Sequence, residues 1–199
     1  SDVYKRQILA YWKYDDATKP GKDSHSWLGR LNNIRTALQG QQGDRRLRLG
    51  IAGGEWKKMM ADATARTRFA SEVKKIIEQY DFDGVDFDFE WPANASEYNN
   101  YSATVIQMRS TLGKYVYFTA SLHPVSFKIS PEAIDALDFI SYQCYGPAVM
   151  RFPYEQFVKD GEAAVAYGIP KNKLVMGVPF YGSTGSLIAA YCDFVNDGL

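Results

Sequence analysis

The chain has 199 residues, 46% of them hydrophobic and 15% aromatic, with 23 Lys and Arg balancing 23 Asp and Glu. That is enough apolar material for the core of one large domain, and too much for a disordered tail. Balanced charge with no basic stretch argues against nucleic-acid or membrane-surface partners, and no apolar run reaches the ~20 residues of a membrane span. Two cysteines (Cys144, Cys192) and two distant histidines (His25, His123) supply neither a disulfide framework nor metal-ligand spacing. With no Gly-rich phosphate loop and no G-x-S-x-G elbow, neither metal nor cofactor is expected.

Taken in order, strand-like and helix-like segments alternate. Residues 1–7 read like a segment foreign to the native protein and are given no weight. Ile8–Trp12 reads as a strand, followed by a polar loop. Trp27, Leu28, Leu31, Ile34 and Leu38 recur at helical spacing before Gly40. Leu47–Ala52 is a strand ending at Gly53-Gly54. Phe69, Val73, Ile76, Ile77 and Tyr80 mark a helix face, and the stretch DGVDFDFEWP, residues 83–92, follows as a strand. Ser96 is the expected cap of a helix carrying Tyr101, Val105, Met108 and Leu112, with Gly113 as its stop. Strands at Tyr115–Leu122 and Phe139–Cys144, a helix around Phe157–Gly168, and a strand at Leu174–Phe180 complete the series.

Alternating β and α segments imply a parallel sheet covered by helices. An open doubly wound sheet and a (β/α)8 TIM barrel both satisfy the pattern. A complete barrel takes about 250 residues, so a barrel here would be incomplete, with about six of eight βα units. The whole of 1–199 is then expected to be a single partial domain.

Alternation divides the acid stretch into two faces. Val85, Phe87 and Phe89 face one way, toward covering helices. Asp86, Asp88 and Glu90 face the other, into the barrel and up toward its C-terminal mouth, where active sites of such barrels lie. Neighbouring acids on one face sit about 6–7 Å apart at Cα. Ionised, they repel by about 2–3 kcal/mol, or roughly two pKa units. At least one should hold or share a proton near neutrality, which is what a general acid needs. Two readings compete: a solvated acidic strand edge, which the apolar alternation and the Gly and Trp flanks oppose, and a calcium loop. Counting from Gln79, Asp81, Asp83, Gly84 and Glu90 take EF-hand positions, but Gln79 replaces the first acid and Pro92 opposes the exit helix.

The stretch FDGVDFDFEWP resembles the D-x-x-D-x-D-x-E signature of glycoside hydrolase family 18, the chitinases and related endo-β-N-acetylglucosaminidases. GIAGG (50–54) is similar to the family's third-strand S-x-G-G motif, YQCYG (142–146) to its sixth-strand tyrosine segment, and VMGVPFYG (175–182) to its seventh-strand motif. The resemblance runs over roughly residues 8–182. It makes the chain's first strand the family's second, and implies that the family's first and last strands are missing.

The resemblance also implies roles. Glu90 would be the general acid and then base of a retaining reaction in which the substrate's 2-acetamido oxygen is the nucleophile, an exception to the two-carboxylate scheme. Asp88 would bind the acetamido N–H and stabilise the oxazolinium-like intermediate, and Asp86 would share a proton with Asp88. Tyr145 would donate its hydroxyl to the acetamido oxygen, with Gln143 on the same sugar. Asp83, Gly84, Gly53 and Gly54 would be structural. Trp56, Trp91 and Tyr181 could stack on sugar rings or fill the core, while His123 and Cys144 are read as packing residues.

The chain departs from the family pattern in three places. Ile51 stands where a serine would support Asp86, Gly146 stands where an Asp often follows the tyrosine, and Phe89 and Trp91 exchange aromatics. The implied partner is an N-acetylglucosamine-containing oligo- or polysaccharide bound by a monomer, with a secreted or cell-surface setting that the residues themselves do not fix. Asn94-Ala95-Ser96 and Asn100-Tyr101-Ser102 match glycosylation acceptors.

Overall fold

A computed structural model describes residues 7–13, 27–39, 46–53, 55–145, 154–179, 181–184 and 187–190, with backbone alone for 7–13, 27–30, 181–184 and 187–190. Strands β1 (Gln7–Lys13), β2 (Arg46–Ala52), β3 (Gly84–Asp88), β4 (Tyr117–Leu122), β5 (Phe139–Gln143) and β6 (Leu174–Gly177) form one six-stranded sheet. Their spatial order is their chain order and every pairing is parallel. Sequential parallel order, with a crossover between each pair, is the wall of a (β/α)8 barrel rather than a doubly wound sheet, whose order reverses. The crossovers contain α1 (Trp27–Leu38), α2 (Trp56–Ala61) with α3 (Ala63–Gln79), α4 (Ala95–Leu112), α5 (Pro131–Ala136) and α6 (Tyr154–Tyr167). A separate antiparallel hairpin, β7 (Tyr181–Thr184) and β8 (Leu187–Ala190), follows.

The core lies between the sheet's outer face and the helices. Phe87 packs on Phe118 (centroids 4.8 Å apart) and Phe89 (5.1 Å), and Phe69 of α3 closes over both. Tyr101 of α4 meets Phe87 edge-on. Full burial of each such ring is worth about 1.5–3 kcal/mol, so the apolar half of the acid strand anchors the acidic half.

Several boundaries moved. Asn94 rather than Ser96 caps α4, because its side chain accepts from the backbone N–H of Glu97, whose carboxylate accepts in turn from Ala93 N–H. Gly113 ends the helix as expected, at φ 80°. The last sheet strand stops at Gly177 rather than reaching Phe180, which lies outside the described residues, as do Gly40, Gly54 and Gly146. Gln7, set aside with the first residues, is in register with Arg46. The short helices α2 and α5 and the hairpin were not anticipated.

Asp83 and Gly84 fix the start of β3. The Asp83 side chain accepts from Leu47 N–H at 2.6 Å, and its carbonyl accepts from Tyr117 N–H at 3.0 Å, so one residue ties β3 to both neighbouring strands. A Cβ on Gly84 would run into the Tyr117 carbonyl and come within 2.6 Å of Tyr117 Cβ. Because the obstacle includes backbone, Gly84→Ala is expected to destabilise the fold by about 1–3 kcal/mol, read as a lower urea midpoint; an unchanged midpoint would refute this packing.

Candidate active site

The site rests on strand alternation and register. Lateral neighbours in a parallel sheet point the same way, so Gly50, Asp86 and Thr119 share the inner face, as do Ser121, Ser141 and Val175 one layer higher. Asp88 stands beside Ala52 at the end of β3, half-buried, and Glu90 lies just past the strand, exposed. The acids therefore rise from a closed interior to an open mouth.

Asp86 is fully buried. Its Oδ1 receives Arg48 Nη1 at 3.3 Å and the Thr119 hydroxyl, and its Oδ2 accepts from Ser121 Oγ at 2.9 Å. Arg48 Nη1 also donates to Thr119 Oγ1. Both oxygens of Asp86 thus accept from donors on β2 and β4. Ile51 is no loss to Asp86. It pairs with Phe87 on the outer face and is buried in the core, so the serine whose absence was noted would not point inward at this register. Thr119 and Ser121 supply the hydroxyls instead.

Asp88 Oδ1 accepts from Gln143 Nε2 at 3.2 Å. The Asp88 carboxyl is raised to about 6, chiefly by burial, then by the charges of Glu90 and Asp86, with the Gln143 bond pulling it back. One member of the acid row thus keeps a proton into the near-neutral range, as repulsion along the strand requires.

Tyr145 follows β5 and is half-buried. Its carbonyl accepts from His123 Nε2 at 2.9 Å, while His123 Nδ1 accepts from Val125 N–H; the two bonds together fix the neutral tautomer protonated at Nε2. Trp91 lies on the His123 ring (centroids 4.6 Å apart), so His123 joins the exit of the acid strand to the Tyr145 segment. A Cβ on Gly177 would come 3.3 Å from the Tyr145 ring, which makes glycine the residue that leaves the ring its place.

Not every expected site residue converges here. Trp56 is 5% exposed in α2, stacked on Phe89 and edge-on to Tyr101. It belongs to the outer core, because Phe89 points away from the acids. Gly53 takes φ 69°, a turn geometry suited to glycine. The side chain of Tyr181 lies outside the described residues. Arg48, Thr119, Ser121, His123 and Gly177 were missed. The signal for Thr119 and Ser121 was small polar residues alternating with buried apolar ones in YFTASL, and for Arg48 an arginine alternating with leucines in RLRLG. Among the described residues no cluster of His, Cys, Asp or Glu is arranged to hold a metal ion, and no helix is long and apolar enough to cross a membrane.

A parallel barrel wall with an inward row of carboxylates at its C-terminal end is a (β/α)8 architecture with a candidate carboxylate site at its mouth. The family model for glycosyl hydrolases family 18 matches residues 6–192, and the chain belongs to that family. It is 26% identical over 189 residues to probable chitinase 2 of Drosophila melanogaster, covering 76% of this chain and 37% of that protein. The fold is similar to that of the chitinase-like agglutinin RobpsCRA from Robinia pseudoacacia, with TM-score 0.75, 18% identity, and coverage of 96% of this chain and 73% of the other. It is also similar to the family 18 chitinase from Cycas revoluta solved with (GlcNAc)3, with TM-score 0.72, 16% identity, and coverage of 96% and 79%. The chain thus spans well under half of the curated Drosophila relative.

Proposed function

We propose that this chain carries the catalytic acids of a retaining, chitinase-like glycosidase that hydrolyses β-1,4 bonds next to N-acetylglucosamine. The observation that carries the reading is the Asp88–Glu90 pair. The Asp88 carboxyl, raised to about 6 by burial and by the neighbouring charges, lies beside the Glu90 carboxyl exposed at the mouth, so the pair holds a proton that Glu90 can deliver. Glu90 protonates the glycosidic oxygen as the C1–O bond breaks. The 2-acetamido carbonyl oxygen closes on C1 from the opposite face, and Asp88 holds the acetamido N–H and balances the oxazolinium charge. Glu90 then takes a proton from water, which attacks C1, reopens the ring and restores the starting configuration. Asp86 sets the electrostatics of Asp88 from below, Tyr145 donates to the acetamido oxygen, and Gln143 and Trp91 line the sugar site. Asp83, Gly84, Gly53 and Gly54 shape the strand ends, within one domain that works as a monomer on a polymeric or oligomeric substrate.

An endo-β-N-acetylglucosaminidase acting on N-glycan cores uses the same acids. A lectin-like chitin binder keeps the fold, as the Robinia agglutinin's name illustrates; Glu90 favours the enzyme. The deciding assay incubates protein from the complete reading frame with chitotetraose and, separately, with a high-mannose glycopeptide. Chitotetraose cleavage giving the β-anomer first supports the proposal. Glycopeptide cleavage alone assigns the endoglycosidase, and tight chitotetraose binding without turnover assigns the lectin.

The basic limb of kcat/KM, where the Asp88–Glu90 pair loses the proton that Glu90 delivers, is expected near pH 6. Because the Gln143 bond lowers the Asp88 carboxyl, Gln143→Leu should move that limb to higher pH. Stability carries the matching sign. A raised carboxyl holds a proton that the unfolded chain releases, so stability falls as pH rises from 3.8 toward about 6 and levels off above. A limb that stays put in Gln143→Leu would refute the coupling.

A further inference from the structure

Arg48 is 4% exposed, on the inner face of β2 and one layer below the catalytic acids. Its Nη1 reaches Asp86 Oδ1 at 3.3 Å and the Thr119 hydroxyl, and its guanidinium lies 4.8 Å from the Phe139 ring centroid. Its Nε is buried with no hydrogen-bond partner. A buried Arg–Asp pair is a poor device for stability, since well-packed apolar residues do as well or better, and an unpartnered buried N–H adds cost. Retaining such a pair directly beneath the acid row points to an electrostatic task.

We propose that Arg48 is a positioning residue for the acid pair: its buried guanidinium turns Asp86 away from Asp88 and supplies the positive charge that limits how many protons the acidic face holds. This rests on the glycosidase reading above and deepens it. The geometry leaves Asp88 free to bond with Gln143 beside Glu90, because Arg48, Thr119 and Ser121 occupy both oxygens of Asp86. Burial pushes the guanidinium below its ordinary value while Asp86 draws it back up, so the two charges hold each other. The other charged or titratable groups around the pair among the described residues include Asp88 and Glu90 on the β3 side, Tyr101 from α4, Tyr117 of β4 beside Arg48, and Arg46 of β2, whose guanidinium lies 3.6 Å from the Tyr117 ring centroid. Of the two cations, Arg48 is the one bonded to Asp86.

Removing a buried positive charge makes neighbouring carboxyls bind protons more tightly, typically by about one unit or more. In protein from the complete reading frame, Arg48→Met should raise the midpoint of Asp88, followed by carboxyl-carbon NMR, by about one pH unit, and should move the basic limb of chitotetraose hydrolysis the same way. Arg48→Lys, which keeps the charge, should leave both near wild type. Combining Arg48→Met with Asp86→Asn should abolish the upward shift, since the charge of Asp86 is one of those that raise Asp88. If Arg48→Met does not fold, Arg48→Gln serves the same titration, keeping a donor while losing the charge. A lower kcat or Tm with an unmoved Asp88 midpoint would overturn the proposal and leave Arg48 a packing residue. Absence of turnover in the wild-type protein would defeat the glycosidase reading, whereas the NMR titration would still judge Arg48.

Discussion

Glu90→Gln is expected to lower chitotetraose turnover by about 10³-fold, within the 10²–10⁴-fold that a positioned proton donor contributes, while chitotetraose binding survives. Glutamine keeps the size of the side chain and can still hydrogen-bond, but it cannot deliver a proton to a leaving oxygen or take one from water. Both halves of the proposed reaction use Glu90 for those transfers, so neither has a substitute donor of the right reach. Stability should hardly change, because Glu90 is exposed beyond the end of β3. Its neighbour Asp88 keeps the bond from Gln143. The measurement is steady-state hydrolysis alongside calorimetric binding of chitotetraose to the same variant. Turnover within tenfold of wild type would remove Glu90 from the acid role. Lost binding with a normal Tm would make Glu90 a sugar ligand first.

The acid strand was legible in the sequence because two periodicities coincide there. Period-two alternation put Val85, Phe87 and Phe89 in the core and the acids on the other face, and the register bears this out. The helices α3 and α4 and the order of the parallel strands followed from spacing and punctuation in the same way. What supports the acids was less legible. The partners of Asp86 lie 38, 33 and 35 positions away along the chain. Register alone brings them together, and register between parallel strands is set by helical crossovers whose lengths do not announce it. Ile51 shows the consequence. Matching a motif by its glycines put the residue beneath Asp86, whereas the pairing with Phe87 turns it outward. Trp56 misled for a related reason. An aromatic near the mouth in sequence was carried by the unanticipated helix α2 onto the outer core against Phe89. His123 looked like a packing residue, and it does pack on Trp91, but its two ring nitrogens also join two loops of the site.

The largest stability loss is expected from separating Asp86 and Arg48. Asp86→Leu removes a carboxylate with no exposure and leaves the Arg48 guanidinium buried with its ion pair gone. Thr119 and Ser121 lose their acceptor as well. Breaking a buried pair from one side costs about 3–5 kcal/mol, a large part of the ~5–15 kcal/mol that holds a domain folded. Urea denaturation should show this as a markedly lower midpoint. Removing both charges is a different experiment. In Asp86→Leu with Arg48→Met, two apolar side chains meet where two ions did, next to Phe139, and most of the lost stability should return. The double variant should nevertheless stay inactive toward chitotetraose, because the charge beneath Asp88 is gone. If the double variant is no more stable than Asp86→Leu alone, the pair is not the cause of the loss and the cost lies with the orphaned hydroxyls of β4. If stability returns without activity, then the buried ions are kept for the chemistry above them, at a position where the fold alone would do as well with grease.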